Sequence, residues 1–126
     1  MFAAAAILVV IQLLVSMFQL ALVLGAPLGE YTLGGQHKGK LPKRLRFVSA
    51  VSLLINLSIS GHYLAQTGLI SPILSDSLNG IVNWALVGFT LLGLAMNSIS
   101  KSKLERKMWV PVLLLSSICA VIVALG

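Results

Sequence analysis

Acidic residues are nearly missing from this chain: three Asp and Glu stand against nine Lys and Arg in 126 residues, and only 10% of positions are charged. A soluble domain of this size would carry about 25% charged residues, so that class is excluded. The single cysteine, Cys119, has no partner for an intrachain disulfide or a paired-thiol redox site. That sets aside the quinone-linked thiol oxidoreductases found in similarly small helical bundles. No Asp, Glu, Lys or Arg falls in the middle of an apolar stretch, whereas pumps and proton-coupled carriers place an ionisable group at mid-membrane. The phosphate-loop pattern is also missing.

What is present is hydrophobic: 58% of the residues, with a mean hydropathy of +1.01. Four apolar stretches, residues 2–24, 45–65, 78–99 and 108–125, each approach the ~20 residues that cross ~30 Å of hydrocarbon as a helix. A bilayer core leaves backbone groups no water to bond, and four spans of this length leave no room for a closed barrel. The expected fold is all-α, an integral membrane four-helix bundle forming one domain over residues 1–126. Residues 1–6 carry no positive charge and the first apolar run exceeds a typical signal h-region, so it is expected to stay as a helix.

All nine basic residues lie in two short stretches, Lys38 to Arg46 and Lys101 to Lys107. The positive-inside rule counts Lys and Arg in short loops, which puts loops one and three in the cytoplasm and both termini outside. The expected location is the plasma membrane of a bacterium, as a multi-pass protein. The net charge of +6 is accounted for by topology and by attraction to anionic headgroups, about 1 kcal/mol per basic residue near the surface; no nucleic acid is needed. Lys38, Lys40, Leu41, Lys43, Arg44 and Leu45 align without gaps with Lys101, Lys103, Leu104, Arg106, Lys107 and Met108. Either two helical hairpins arose by duplication, or two cytoplasmic loops converged on the same composition.

Polar residues run in stripes along the helices. At 100° per residue, Gln12, Ser16 and Gln19 share one arc of the first span, and Ser49, Ser52, Asn56, Ser60 and Tyr63 one arc of the second. Asn83, Thr90 and Asn97 recur every seven residues on the third. Polar side chains are costly against lipid, so the stripes should meet inside the bundle. They serve there either as interhelical glue, at about 0.6 kcal/mol per bond, or as the lining of a polar cavity. Gly88 and Ala95 lie on another face of the third span and would admit a second helix, either helix four or a second copy of the chain. His62 sits near the outer end of the second span, on the opposite side of the membrane from His37, so the two cannot share a metal.

Loop one, Gly25 to Pro42, exceeds the ~2–8 residues of an ordinary helix connection. It holds five of the eleven glycines and two of the four prolines, yet Leu28, Tyr31, Leu33 and Leu41 are unlike a flexible linker. An ordered loop folded over the cytoplasmic mouth is expected. Glu30, Gln36 and His37 would form a hydrogen-bonding cluster under the stripes, but they supply too few ligands for a catalytic zinc site; neither a metal nor a cofactor is expected. Gly34 and Gly35 would present backbone N–H groups to an anion beside Lys38 and Lys40. Tyr31 completes this set of candidate binding residues.

Gly25, Ala26, Pro27, Gly29, Gly34, Gly35, Leu41 and Pro42 together resemble the loop of small bacterial inner-membrane proteins, in which a first span runs into Gly-Ala-Pro-x-Gly-x-x-x-x-Gly-Gly and then a basic Leu-Pro. The resemblance implies a bacterial source and a four-helix fold. It brings no activity, substrate or catalytic residue. Two functional readings follow from the residues: a non-enzymatic membrane module whose cytoplasmic loop docks a lipid headgroup or partner protein, and a small-solute or lipid carrier, oligomeric, using the stripes as its path. An enzyme acting through Glu30 and His37 ranks third.

Overall fold

A computed structural model describes residues 1–126 as four long helices. They are α1 (Phe2–Val23), α2 (Lys43–Gln66), α3 (Asp76–Ser98) and α4 (Lys103–Leu125), and each is long and apolar enough to cross a membrane. The protein is therefore a multi-pass, all-helical membrane protein. At 1.5 Å per residue, helices of this length measure roughly 33–36 Å, enough to cross the ~30 Å hydrocarbon core. The two basic connections lie at one end of the bundle, called here the basic end; both termini and the connection 67–75 lie at the other.

Helix limits follow from capping chemistry more than from hydropathy. Ser75 accepts the Leu78 N–H at 3.3 Å and starts α3 at Asp76. Ser102 accepts the Glu105 N–H at 3.2 Å and starts α4 at Lys103, five residues before the apolar run at Met108. The second basic stretch is thus largely helical rather than connector.

Each hairpin is closed by an arginine in the first turn of its second helix. Arg46 donates from Nε and Nη2 to the Val23 carbonyl at 3.0 and 2.8 Å, and Arg106 donates from Nη1 to the Ser100 carbonyl. Carbonyls at a helix C-terminus have no partner within the helix and carry the negative end of its dipole, so a guanidinium satisfies both the bond and the charge.

Around the bundle the order is α2, α1, α4, α3: α1 packs against α2 and α4, α3 packs against α4, and no comparable packing joins α2 to α3. The buried core gathers Ala4, Ala5 and Leu8 with Tyr63, Val87, Ala120 and neighbours, all toward the end that holds the termini. Alanines let α1 and α4 approach closely there. Toward the basic end Phe18 and Trp109, one from each of the same two helices, meet edge to face, ring centroids 5.0 Å apart. Gly88 and Ala95 are exposed and face no other helix of the chain; the glycine that meets α4 is Gly93, opposite Leu113. Helix four does not use the Gly88 face, contrary to that alternative of the sequence reading.

What holds α2 to α3 is a clasp of polar side chains near the termini. Asn83 Oδ1 accepts from His62 Nε2 at 2.7 Å, and Gln66 Oε1 accepts from Asn83 Nδ2 at 3.2 Å. Gln66 and Asn79 exchange amide bonds at 2.8 and 2.7 Å. Asn83→Leu removes two of these bonds and strands His62, so it should destabilise the bundle by about 1–3 kcal/mol. Reversible unfolding in detergent measures this, and an unchanged midpoint would show that the clasp contributes nothing.

Candidate functional site

Near the basic end the bundle holds a half-open cavity of about 840 Å³ lined by all four helices and loop one. Binding pockets for small molecules usually measure about 300–1,000 Å³. The three polar stripes converge on it: Gln12 and Gln19 from α1, Ser52 and Asn56 from α2, Thr90 and Asn97 from α3. Five stripe residues, Ser16, Ser49, Ser60, Tyr63 and Asn83, do not line it. Ser16 is buried and returns its hydroxyl to the Gln12 carbonyl at 2.7 Å, and Asn83 belongs to the clasp.

These polar groups fall into two kinds. On α3 and α4 they are satisfied within their own helix: Thr90 donates to the Leu86 carbonyl at 2.7 Å, Asn97 to Gly93 at 2.8 Å and Ser116 to Val112 at 2.8 Å. On α1 and α2 the side chains of Gln12, Gln19, Ser52 and Asn56 have no hydrogen-bond partner in the chain. Gln12 Oε1 is fully buried without one, and Asn56 is only 9% exposed. A buried polar group left unpaired costs about 1–3 kcal/mol, a cost that falls here on Gln12 Oε1, and none of the four serves as interhelical glue. Apart from Gln12 Oε1, which is sealed off, they line a space large enough for something else to bond them.

Loop one forms the lid over the basic end. Two short 3₁₀ turns, Gly29–Tyr31 and Leu33–Gly35, fold it against the start of α4. Ser102 donates its hydroxyl to the Glu30 carbonyl at 2.5 Å, Trp109 Nε1 donates to the Tyr31 carbonyl at 2.8 Å, and the Gly34 N–H donates to Glu105 Oε2 at 3.3 Å. Ser102 and Glu105 have the spacing of a capping box, in which the acid would reach back to the cap's own N–H. Here Ser100 Oγ takes that N–H at 3.1 Å, and the carboxylate takes the loop instead. Leu33, Gly34 and Gly35 all have positive φ, at 53°, 70° and 73°. For Leu33 this left-handed conformation costs about 1–2 kcal/mol, strain held by the latch on either side of it. At Gly35 a Cβ would also lie 2.6 Å from that of Ser102.

Of the loop residues singled out from sequence, Tyr31, Gly34 and Gln36 line the cavity, while Glu30, Gly35, His37, Lys38 and Lys40 do not. Glu30 contributes its carbonyl rather than its carboxylate. No hydrogen bond links Glu30, Gln36 and His37 through their side chains, so the anticipated cluster is not formed. The Gly34 N–H is spent on Glu105, not offered to an anion. Lys38 and Lys40 remain exposed on the surface.

Sequence reasoning missed Glu105, which is 93% buried (7% exposed) and lines the cavity, together with Lys101, Phe18 and Trp109. The Ser-x-x-Glu spacing at Ser102 was a readable signal for a helix start. Nothing local announced that the carboxylate would receive a loop 71 residues away. No group of three or more His, Cys, Asp or Glu side chains comes together to hold a metal.

Trp109→Phe keeps the aromatic contact with Phe18 and deletes the bond to Tyr31, at an expected cost of about 1 kcal/mol. Loosening of the lid should appear as faster trypsin cleavage after Lys38 and Lys40 in detergent-solubilised protein; an unchanged rate would mean that Trp109 does not hold the loop.

No protein-family model, curated protein or solved structure matches this chain, so its function is argued from the cavity.

Proposed function

We propose that this chain is a non-enzymatic membrane module that holds a small amphipathic molecule in the cavity, with its polar group among Gln12, Gln19, Ser52 and Asn56 and loop one as the lid. The observation that carries the reading is the set of unpaired side chains, Gln19, Ser52 and Asn56 above all, that line a cavity of ligand size. Each amide offers two donors and two acceptor lone pairs, and water or a bound polar group must complete them. Apolar residues make up much of the remaining wall, among them Ile11, Val15, Phe89 and Leu113, which favours an amphiphile over a column of water.

The loop supports this reading as a cover rather than as the docking surface itself. Its exposed Lys38 and Lys40 would attract anionic headgroups around the protein, at about 1 kcal/mol each. By the distribution of basic residues the lid lies in the cytoplasm and both termini outside, in the inner membrane of a bacterium. A carrier would need a path to both faces, and the clasp and core lie across the far end of the cavity. That arrangement favours holding over transport.

Native mass spectrometry of protein extracted in mild detergent tests the proposal. Wild type should retain a discrete adduct, and Asn56→Leu should reduce its occupancy by at least about fivefold, equivalent to one lost hydrogen bond. Asn83→Leu, outside the cavity, should retain it. A bare wild-type chain that also takes up nothing from a total lipid extract would sink the reading.

A further inference from the structure

We infer that the molecule held in the cavity is a bilayer lipid with an uncharged, hydrogen-bonding headgroup, and that it reaches the cavity sideways, between α2 and α3. The inference rests on the reading of the cavity as a binding site. It adds which chemistry binds and by what route.

The route follows from what is blocked. At the basic end the lid is latched to α4 through Ser102, Glu105 and Trp109. Toward the termini lie the packed core and the clasp of His62, Gln66, Asn79 and Asn83. Between α2 and α3, on the basic side of the clasp, no helix packing intervenes. Four residues along that seam line the cavity and are at the same time exposed on the outside of the bundle: Ile55 on α2 at 47%, and Phe89, Leu92 and Met96 on α3 at 54%, 63% and 59%. Positions 89, 92 and 96 recur at three and four residues, one edge of a helix. The same apolar side chains therefore form the cavity wall and the face turned to hydrocarbon. An acyl or prenyl chain can lie between them without leaving an apolar medium, whereas a water-soluble ligand would have to cross the bilayer to reach the same opening.

The headgroup chemistry follows from the charges. Along the helices beyond the lid the polar lining consists of amides and hydroxyls, all neutral. Lys101 is the one basic residue of the lining and Glu105 the one acid, both close to the lid. The other eight basic residues lie outside the cavity. A phosphate headgroup would call for several cations or free backbone N–H groups, and it would meet the buried Glu105 carboxylate instead. An uncharged group bearing hydroxyl or carbonyl oxygens matches donors and acceptors that Gln12, Ser52 and Asn56 leave open.

The full-length chain in phosphatidylcholine vesicles is illuminated with a diacylglycerol probe carrying a photoreactive diazirine in its acyl chain, or with phosphatidic acid carrying the same chains. Labelling is quantified on the intact protein and mapped on peptides. Diacylglycerol should label α2 and α3 along the seam at least about fivefold more than phosphatidic acid does, one hydrogen bond's worth of selectivity, and Asn56→Leu should remove the excess. In a Cys119→Ala background, Ile55→Cys and Leu92→Cys bridged by a reducible thiol linker should lose the label and regain it on reduction. Equal or stronger labelling by phosphatidic acid overturns the uncharged headgroup; labelling undiminished by the bridge overturns the lateral route. Should neither probe label a chain that still retains an adduct in mass spectrometry, the lipid class falls while the cavity reading stands. If there is no adduct either, both fall.

Discussion

Hydrocarbon supplies no hydrogen-bond partners, and that constraint sorts most polar side chains in this bundle; the core hydroxyl of Tyr63 is buried without a partner. Hydroxyls have a local remedy, because a serine or threonine on a helix can return its proton to the carbonyl four residues back. Ser16, Thr90, Ser116 and Ser117 all do so. Amides are less easily satisfied within one helix, since each brings donors and acceptors together. The bundle deals with amides in three ways. Asn97 bonds its own helix, Gln66, Asn79 and Asn83 bond one another across α2 and α3, and Gln12, Gln19 and Asn56 are left turned to the cavity. The last group marks the place where the chain is incomplete as a purely structural object.

The same constraint explains the basic residues more fully than topology does. Arg46 and Arg106 occupy the fourth position of α2 and of α4; Arg46 binds the last carbonyl of α1, and Arg106 the Ser100 carbonyl two residues past the end of α3. These two positions are 60 residues apart, whereas the ungapped match between the basic stretches, from Lys38 to Lys101, has an offset of 63. The ungapped alignment therefore sets loop residues Lys38 and Lys40 against the start of α4, almost a helical turn out of structural register. Equivalent arginine clasps arising in different registers favour convergence of two hairpins on one solution over descent from a single copy.

Much of the architecture was legible in the sequence because hydropathy and the 100° period act locally. The four spans and the stripes were visible in this way. The start of α4 was not, because Lys103 to Lys107 depress hydropathy while the Ser102 cap and the first-turn Glu105 favour a helix. The site was partly legible for a similar reason. Periodicity placed Gln12, Ser52, Asn56 and Thr90 on inward faces, but it could not tell a hydroxyl bonded to its own helix from an amide left open. Nor could it bring Glu105 and Trp109 to loop one, since that contact depends on α1 and α4 being neighbours.

The cavity lies where the small residues shared by α1 and α4 give way to larger ones. Near the termini Ala4, Ala5 and Ala120 are almost wholly buried, and the two backbones approach closely enough for a continuous core. Near the basic end Phe18 and Trp109 stand between the same helices. α3 packs on α4 rather than on α2, and the clasp joins α2 to α3 only near the termini, so the seam between them stays open toward the basic end. The open seam and the cavity are thus consequences of one arrangement: had α2 and α3 packed along their full length, the unpaired amides would have needed partners inside the chain, and the lid would cover nothing.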